Sequence, residues 1–242
     1  MALTTDADAY LVLTMGNSQL RWAAVQYGNI QAQSSLPSPQ PASRSIFPRM
    51  YQNAPLFIVS VVPEQLPGWT ALPQSQVLTL ADIPLAGQYP TLGCDRAIAA
   101  YGAIQRYGAP VLVMDGGTAW TFTAINAEAV LIGGAILPGL ALQYQSLHQG
   151  TGALPHLPPT EGVPTRWGQD TIAAIHSGIH HLLLAGAQDF LAAWQQDYPQ
   201  GAVVLTGGSG AWLQRHLVDH GSRLYYNPDL LIQSVVALVN AT

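Results

Sequence analysis

The sequence predicts an α/β protein built twice over. Each half is three strands in an antiparallel meander followed by β/α elements. Three observations carry this reading. Short apolar runs of strand length recur along the 242 residues, and the sharpest of them end in glycine-rich turns. Two of these turns, Thr14-Met15-Gly16-Asn17 and Asp115-Gly116-Gly117-Thr118, set Thr14 opposite Asp115 and Gly16 opposite Gly117. The offset between them is about 100 residues, the size of a domain.

The elements follow in order. Tyr10–Met15 reads as a buried strand closed by a tight turn at Gly16-Asn17-Ser18. A second strand spans Leu20–Gln26, and Tyr27-Gly28-Asn29 turns the chain into a third at Ile30–Gln33. Ser34 to Pro55 holds five further prolines and is expected as loop with at most a short helix. Phe57–Val62 and Val77–Leu80 are two more strands, and Asp95–Arg106 carries the apolar spacing of a helix. The pattern then restarts, with strands at Val111–Met114, Thr121–Ile125 and Ala129–Ile136. Helices follow at Leu140–Gln149 and Thr171–Gln196, a strand at Val203–Thr206, a helix at Ala211–Asp219 and a last helix from Asp229. The expected domains are 1–108 and 109–242, with the last helix, about 229–242, able to pack back on the first.

Composition removes several function classes. All eight basic residues are arginine, so neither a GxxxxGK phosphate loop nor a lysine Schiff base can exist. A net charge of −5 argues against nucleic-acid binding, which needs a basic face. Charged residues make up 9% of the chain against the usual quarter, which points to an associating surface and an oligomer. The lone Cys94 has no internal disulfide partner, in keeping with a reducing cytoplasm. The opening MALTTDADAY lacks the basic start of a secretory signal, and Ala129–Leu142 is too short and too interrupted to span a membrane.

Chemistry has a few candidate places. Turns at Gly16-Asn17-Ser18, Gly116-Gly117-Thr118 and Gly207-Gly208-Ser209 each follow an apolar strand. Such turns bring backbone N–H groups and hydroxyls close to an anion, although each taken singly is also an ordinary hairpin turn. Asp115 ends a strand beside two glycines, where a carboxylate can hold a phosphate-neutralising cation or merely cap the turn. Gly93-Cys94-Asp95-Arg96 opens a helix. Asp95 there is either a helix cap or a general base, and Arg96 either a solvated charge or an anion clamp. Seven histidines (148, 156, 176, 180, 181, 216 and 220) invite a metal reading. His176 and His180 are spaced as zinc ligands often are, but no HExxH acid lies between them.

Taken together, these segments resemble the type III pantothenate kinases of the acetate/sugar kinase–Hsp70–actin superfamily. The resemblance rests on Thr14-Met15-Gly16-Asn17-Ser18 for D-x-G-N-[TS], and on Ser60-Val61-Val62-Pro63 for S-V-x-P. The run Tyr89 to Gly93-Cys94-Asp95-Arg96 stands for Y-x-x-x-x-G-x-D-R, with one residue fewer between Tyr and Gly than many members have. Asp115 to Thr121 stands for D-x-G-T-A-x-T, Gly133 to Gly139 for G-G-x-I-x-P-G, Gly168 to Thr171 with Ser177-Gly178-Ile179 for G-x-x-T…S-G-I, and Thr206-Gly207-Gly208 for T-G-G. It covers nearly the whole chain.

The resemblance implies two tandem ribonuclease-H-like domains, duplicated βββαβαβα-type units with a cleft between them. It implies transfer of the ATP γ-phosphoryl group to pantothenate, the first step toward coenzyme A, with Mg²⁺ and a monovalent cation, K⁺ or NH₄⁺, as cofactors. Asp95 would accept the hydroxyl proton. Tyr89, Gly93, Cys94, Arg96 and Thr171 would bind pantothenate, with Thr171 supplied by the other subunit of a homodimer. Thr14, Gly16, Asn17, Ser18, Gly117, Thr118, Gly207 and Gly208 would line the ATP and phosphate site, and Asp115 the metal. Thr14 departs from the family's Asp and supplies no charge. A kinase of the same superfamily with another substrate, or a nucleotide-binding regulator without catalysis, are the alternatives.

Overall fold

The computed structural model describes residues 9–218 and 223–241. Asp219, His220 and most of the opening segment read above lie outside the described residues. The chain folds into two compact units: one takes the described residues up to Arg106 and those from Asp229 onward, the other Tyr107–Pro228.

The first unit is a five-stranded sheet. Strands β1 (Ala9–Met15), β2 (Gln19–Gln26) and β3 (Asn29–Pro37) form the meander, and β4 (Leu56–Ser60) and β5 (Ser75–Val77) add in parallel beside β1, in the order β3-β2-β1-β4-β5. The β2–β3 turn is two residues long, with Gln26 opposite Asn29 and positive φ at Tyr27 (49°) and Gly28 (74°). That mirror-image turn matches the right-handed twist of the strands.

Two sequence expectations change here. Strand β3 runs four residues past Gln33 to Pro37, because its polar outer residues pair with β2 instead of forming loop. The strand expected at Val77–Leu80 ends at Val77, and Leu80–Asp82 is a one-turn 3₁₀ helix closed by Asp82 accepting from Thr79 N–H and hydroxyl, both at 2.8 Å. Between β4 and β5 runs a short helix, α1 (Leu66–Thr70), that apolar periodicity is too brief to announce.

Helix α2 (Cys94–Tyr107) closes the first half of the chain. The second unit repeats the first. Strands β6 (Val111–Gly116), β7 (Ala119–Ile125) and β8 (Leu131–Pro138) form the antiparallel meander. After helices α3 (Leu140–Gly150) and α4 (Thr171–Asp197), β9 (Ala202–Thr206) pairs in parallel with β6. Helix α5 (Gly210–His216) and β10 (Arg223–Tyr226) complete it, in the order β8-β7-β6-β9-β10. The expected strand start at Ala129 moves to Leu131, because Ala129 takes a positive φ of 58° in the Asn126–Val130 turn. Strand β10 adds to the sequence expectation; Arg223-Leu224-Tyr225-Tyr226 is only four residues long and no more than half-buried, too short a pattern to announce a strand.

The last helix, α6 (Leu230–Asn240), packs on β1 within the first unit. Leu11, Leu13 and Met15 face the core that holds Trp22, Phe47 and Trp69, so Thr14 lies on the opposite face, also buried. Burial on both faces explains why β1 reads as a continuous apolar run instead of alternating. In the second unit Leu112 and Met114 face a core with Trp120, Tyr144 and Trp212, and Asp115 takes the opposite face.

Candidate active site

Both units place glycine turns where parallel strands end, the position at which open α/β sheets bind ligands. In the first unit Thr14 pairs with Val59 of β4; in the second Asp115 pairs with Thr206 of β9. The two residues therefore hold equivalent positions in equivalent sheets, one with a hydroxyl and one with a carboxylate.

The first turn is closed by its own backbone. Gly16 N–H donates to the Gln19 carbonyl at 2.9 Å, so this amide shapes the turn and is not offered to a ligand. Asn17 and Ser18 lie exposed at its tip. The Thr14 hydroxyl donates to the Arg21 carbonyl at 3.4 Å. Ser60, at the end of β4, accepts from Val62 N–H at 3.0 Å and fixes the neighbouring turn.

The second unit holds a tighter assembly. Gly207 has φ +76°, and a Cβ on it would lie 2.1 Å from the Asp115 carboxylate. The carboxylate therefore lies over a glycine that only a residue without a side chain can supply. Ser209 N–H donates to the Gly116 carbonyl at 2.8 Å, tying the 206–210 turn to the 115–118 turn. Gly139, at the start of α3, donates to the Thr118 carbonyl at 2.9 Å, and a Cβ there would meet the Gly117 carbonyl at 2.4 Å. Gly139 was not singled out from the sequence, although it closes the Gly133–Gly139 segment. Thr118 and Gly208 are exposed on this surface.

The third constellation opens α2. A Cβ on Gly93 would come within 2.7 Å of the Asp95 carboxylate, so glycine is what lets Asp95 fold back over the helix start. Asp95 accepts from Arg96 N–H at 2.8 Å. Burial raises its pKa above the usual carboxylate range, against the opposing pull of that hydrogen bond and of the Arg96 charge. Arg96 is only 8% exposed, and its guanidinium donates to the Tyr89 hydroxyl at 3.0 Å, while Tyr89 itself is 37% exposed. The pair thus links a buried cation to the surface. The Cys94 thiol donates to the Leu78 carbonyl at 3.3 Å. Burial, with Asp95 and Asp82 adding, pushes its pKa to about 11, which makes it a packing group and no nucleophile.

Thr171 is exposed at the first turn of α4, whose Asp170 cap accepts from Ala173 N–H at 2.8 Å. It lines an open cavity of about 610 Å³ with Thr160, Pro164, Asp170, Ile172, Ala173 and His176. The sequence-predicted residues thus gather as Thr14 to Ser18 and Tyr89 to Arg96 in the first unit, and as Asp115 to Thr118, Thr171, and Gly207-Gly208 in the second. Among the described residues no cluster of three or more His, Cys, Asp or Glu side chains is arranged to hold a metal. A single carboxylate such as Asp115 fits a cation that takes its other ligands from phosphates and water. No helix among the described residues is long and apolar enough to cross a membrane.

The family model and the sequence relatives agree on one family. The family model described as type III pantothenate kinase matches residues 10–193. A type III pantothenate kinase of Synechococcus sp. (strain JA-2-3B'a(2-13)) is 41% identical over 228 residues, covering 93% of this chain and 87% of its own. Among solved structures, a Campylobacter jejuni protein assigned to the Baf family of transcriptional activators superposes with a TM-score of 0.66 at 19% identity, covering 96% of this chain and 98% of its own. An inorganic polyphosphate/ATP-glucomannokinase from Arthrobacter sp. strain KM superposes with a TM-score of 0.51 at 13% identity over 97% of this chain and 99% of its own. At such identities these two likenesses speak for the fold alone. They agree with the duplicated ribonuclease-H-like fold expected from the sequence.

Proposed function

The chain belongs to the type III pantothenate kinases, which use ATP to phosphorylate pantothenate, and from that premise we propose how its residues divide the work. The observation that carries the assignment is the start of α2, where a carboxyl raised by burial sits beside a buried arginine. Asp95 accepts the proton of the pantothenate hydroxyl as its oxygen bonds to the γ-phosphorus. The bond from that phosphorus to the β,γ-bridging oxygen breaks, and ADP leaves. A base with a raised pKa suits this role, because it takes the proton readily once the hydroxyl begins to bond. Arg96 steadies negative oxygens, and Tyr89 orients Arg96. Gly93 gives the Asp95 carboxylate its room, and Cys94 anchors the helix start beneath it.

Phosphate oxygens are met by Asn17 and Ser18 at the first turn, with Gly16 shaping it and the buried Thr14, whose hydroxyl donates to the Arg21 carbonyl, supporting it. Gly117, Thr118, Gly207 and Gly208 meet nucleotide at the second. With no lysine in the chain, backbone amides, Arg96 and bound cations carry the charge neutralisation. Asp115 would hold a monovalent cation, K⁺ or NH₄⁺, or Mg²⁺ brought with the nucleotide; such an ion neutralises phosphate charge. Thr14 supplies no charge toward it. The enzyme works in the cytoplasm as a homodimer, with Thr171 contributing to the pantothenate site of its partner. The test is pantothenate-dependent ADP release with Mg²⁺, with and without K⁺ or NH₄⁺. Absence of turnover under all of these conditions would overturn the reading.

A further inference from the structure

The cavity that carries Thr171 has a second polar wall, His176. Its Nδ1 lies 2.6 Å from the Tyr144 hydroxyl, which also lies 3.2 Å from His180 Nδ1. Tyr144 and His180 are buried, His180 completely. His180 Nδ1 is 2.9 Å from the His176 carbonyl, and its Nε2 is 3.1 Å from the carbonyl and 3.4 Å from the hydroxyl of Thr160, another cavity residue. A closed chain of hydrogen bonds thus runs from His176 through Tyr144 and His180 to Thr160. It joins two residues of the cavity lining, His176 and Thr160, through side chains buried behind them.

His180 Nδ1 faces the His176 carbonyl and so carries a hydrogen, which leaves the Tyr144 hydroxyl to accept from His180 and to donate its own proton to His176. Burial pushes the Tyr144 hydroxyl up to about 12, so it remains a donor at working pH. His176 Nδ1 then accepts, and Nε2 carries the hydrogen. That Nε2–H has no hydrogen-bond partner among the described residues, and neither has the Thr171 hydroxyl, on the same cavity. A ring pinned at one nitrogen and open at the other is the arrangement of a binding group, since the anchor fixes both tautomer and direction. Pro164, Ile172 and Ala173 supply the apolar remainder of the lining.

We propose that His176 is a substrate-binding residue of this enzyme, donating from Nε2 to an oxygen of pantothenate beside Thr171, with Tyr144 and His180 as the residues that position it. This rests on the reading that Thr171 contacts pantothenate. The class of group it takes is a carboxylate or amide oxygen.

Asn at position 176 keeps a polar atom near the Nδ1 position and loses Nε2, whereas Gln places an amide near Nε2. Steady-state kinetics of His176→Asn, His176→Gln, Tyr144→Phe and Thr171→Val, alongside calorimetric titration with pantothenate, test the proposal. His176→Asn is expected to raise the pantothenate KM roughly three- to tenfold, the worth of one typical hydrogen bond, and to leave the ATP KM in place. His176→Gln recovers part of the loss. Tyr144→Phe, which keeps the buried ring, raises the pantothenate KM and adds little to His176→Asn. If Thr171→Val raises the pantothenate KM and His176→Asn does not, the inference fails and the reading of Thr171 stands. If neither variant changes it, the reading of Thr171 fails and the inference with it. Equal rises in both KM values with a lowered melting temperature would mean a packing role and overturn the proposal.

Discussion

At the scale of single residues the decisive group is Asp95, a carboxyl whose pKa burial raises against the pull of Arg96. Replacing it by Asn is expected to cost at least about 10²-fold in kcat, the lower range for losing a general base, measured by ADP release. The acid limb of the kcat/KM profile should lie above pH ~4, the ordinary carboxylate range, because the base works only when ionised. A profile flat down to that pH would remove Asp95 from the role. Stability moves the other way. A carboxyl with a raised folded-state pKa favours the fold fully below its unfolded pKa, and this contribution is lost as pH rises through the folded value. Asp95→Asn should therefore melt no lower than the parent at pH 8, with its relative advantage shrinking toward pH 4. Tyr89→Phe removes the hydroxyl that accepts from Arg96 and is expected to raise the pantothenate KM with little change in melting temperature.

At the scale of elements, the two glycine turns of the second unit behave as one piece. Gly207 is pressed on the Asp115 carboxylate in a left-handed conformation, and Gly139 on the Gly117 carbonyl. Gly207→Ala meets both a steric and a conformational barrier. It is expected to destabilise the unit by about 1–3 kcal/mol and to raise the ATP KM, read by thermal unfolding and kinetics. Gly208, with no atom closer than 4.0 Å to its would-be Cβ, should tolerate alanine in stability. The sequence showed these turns, because apolar strands followed by glycines are local patterns. It did not show that the turn from Gly207 and the turn from Asp115 would touch, because only the parallel pairing of β6 with β9 brings them together. The spacing of His176 and His180 is legible, but their contact with Tyr144 is not, for the same reason: Tyr144 lies on α3 and the histidines on α4, 32 and 36 residues away.

At the scale of the whole molecule, the chain leaves its first unit at Arg106 and returns to it at Asp229. Helix α6 comes back with Leu230, Ile232, Val235 and Leu238 buried, and with Asp229 paired to Arg21. The return is close-packed at Gly102, where a Cβ would lie 1.8 Å from the Ser234 hydroxyl. Gly102→Ala is expected to cost about 1–3 kcal/mol of stability by overpacking, followed by thermal or denaturant unfolding. Combining it with Ser234→Gly should restore part of the loss, whereas Ser234→Gly alone should not reproduce it. The first unit is thus completed by the last residues of the chain, a long-range closure that slows folding relative to local contacts.

By itself the sequence determined the strands other than β10, the main helices, the duplication and the residues from which the family is recognised. Each is set by local spacing: apolar runs, glycines at strand ends and a helix start at Gly93 to Arg96. The lack of lysine likewise fixed which phosphate chemistry was available. Only the tertiary structure decided that Gly16 spends its amide on its own turn, that Arg96 is buried against Tyr89, and that Asp115 lies over Gly207. It also decided that His176 faces the Thr171 cavity with one ring nitrogen anchored. These are properties of residues distant in sequence that burial and strand pairing force together, and the free energies that set their roles, desolvation and steric exclusion, arise only once that packing exists.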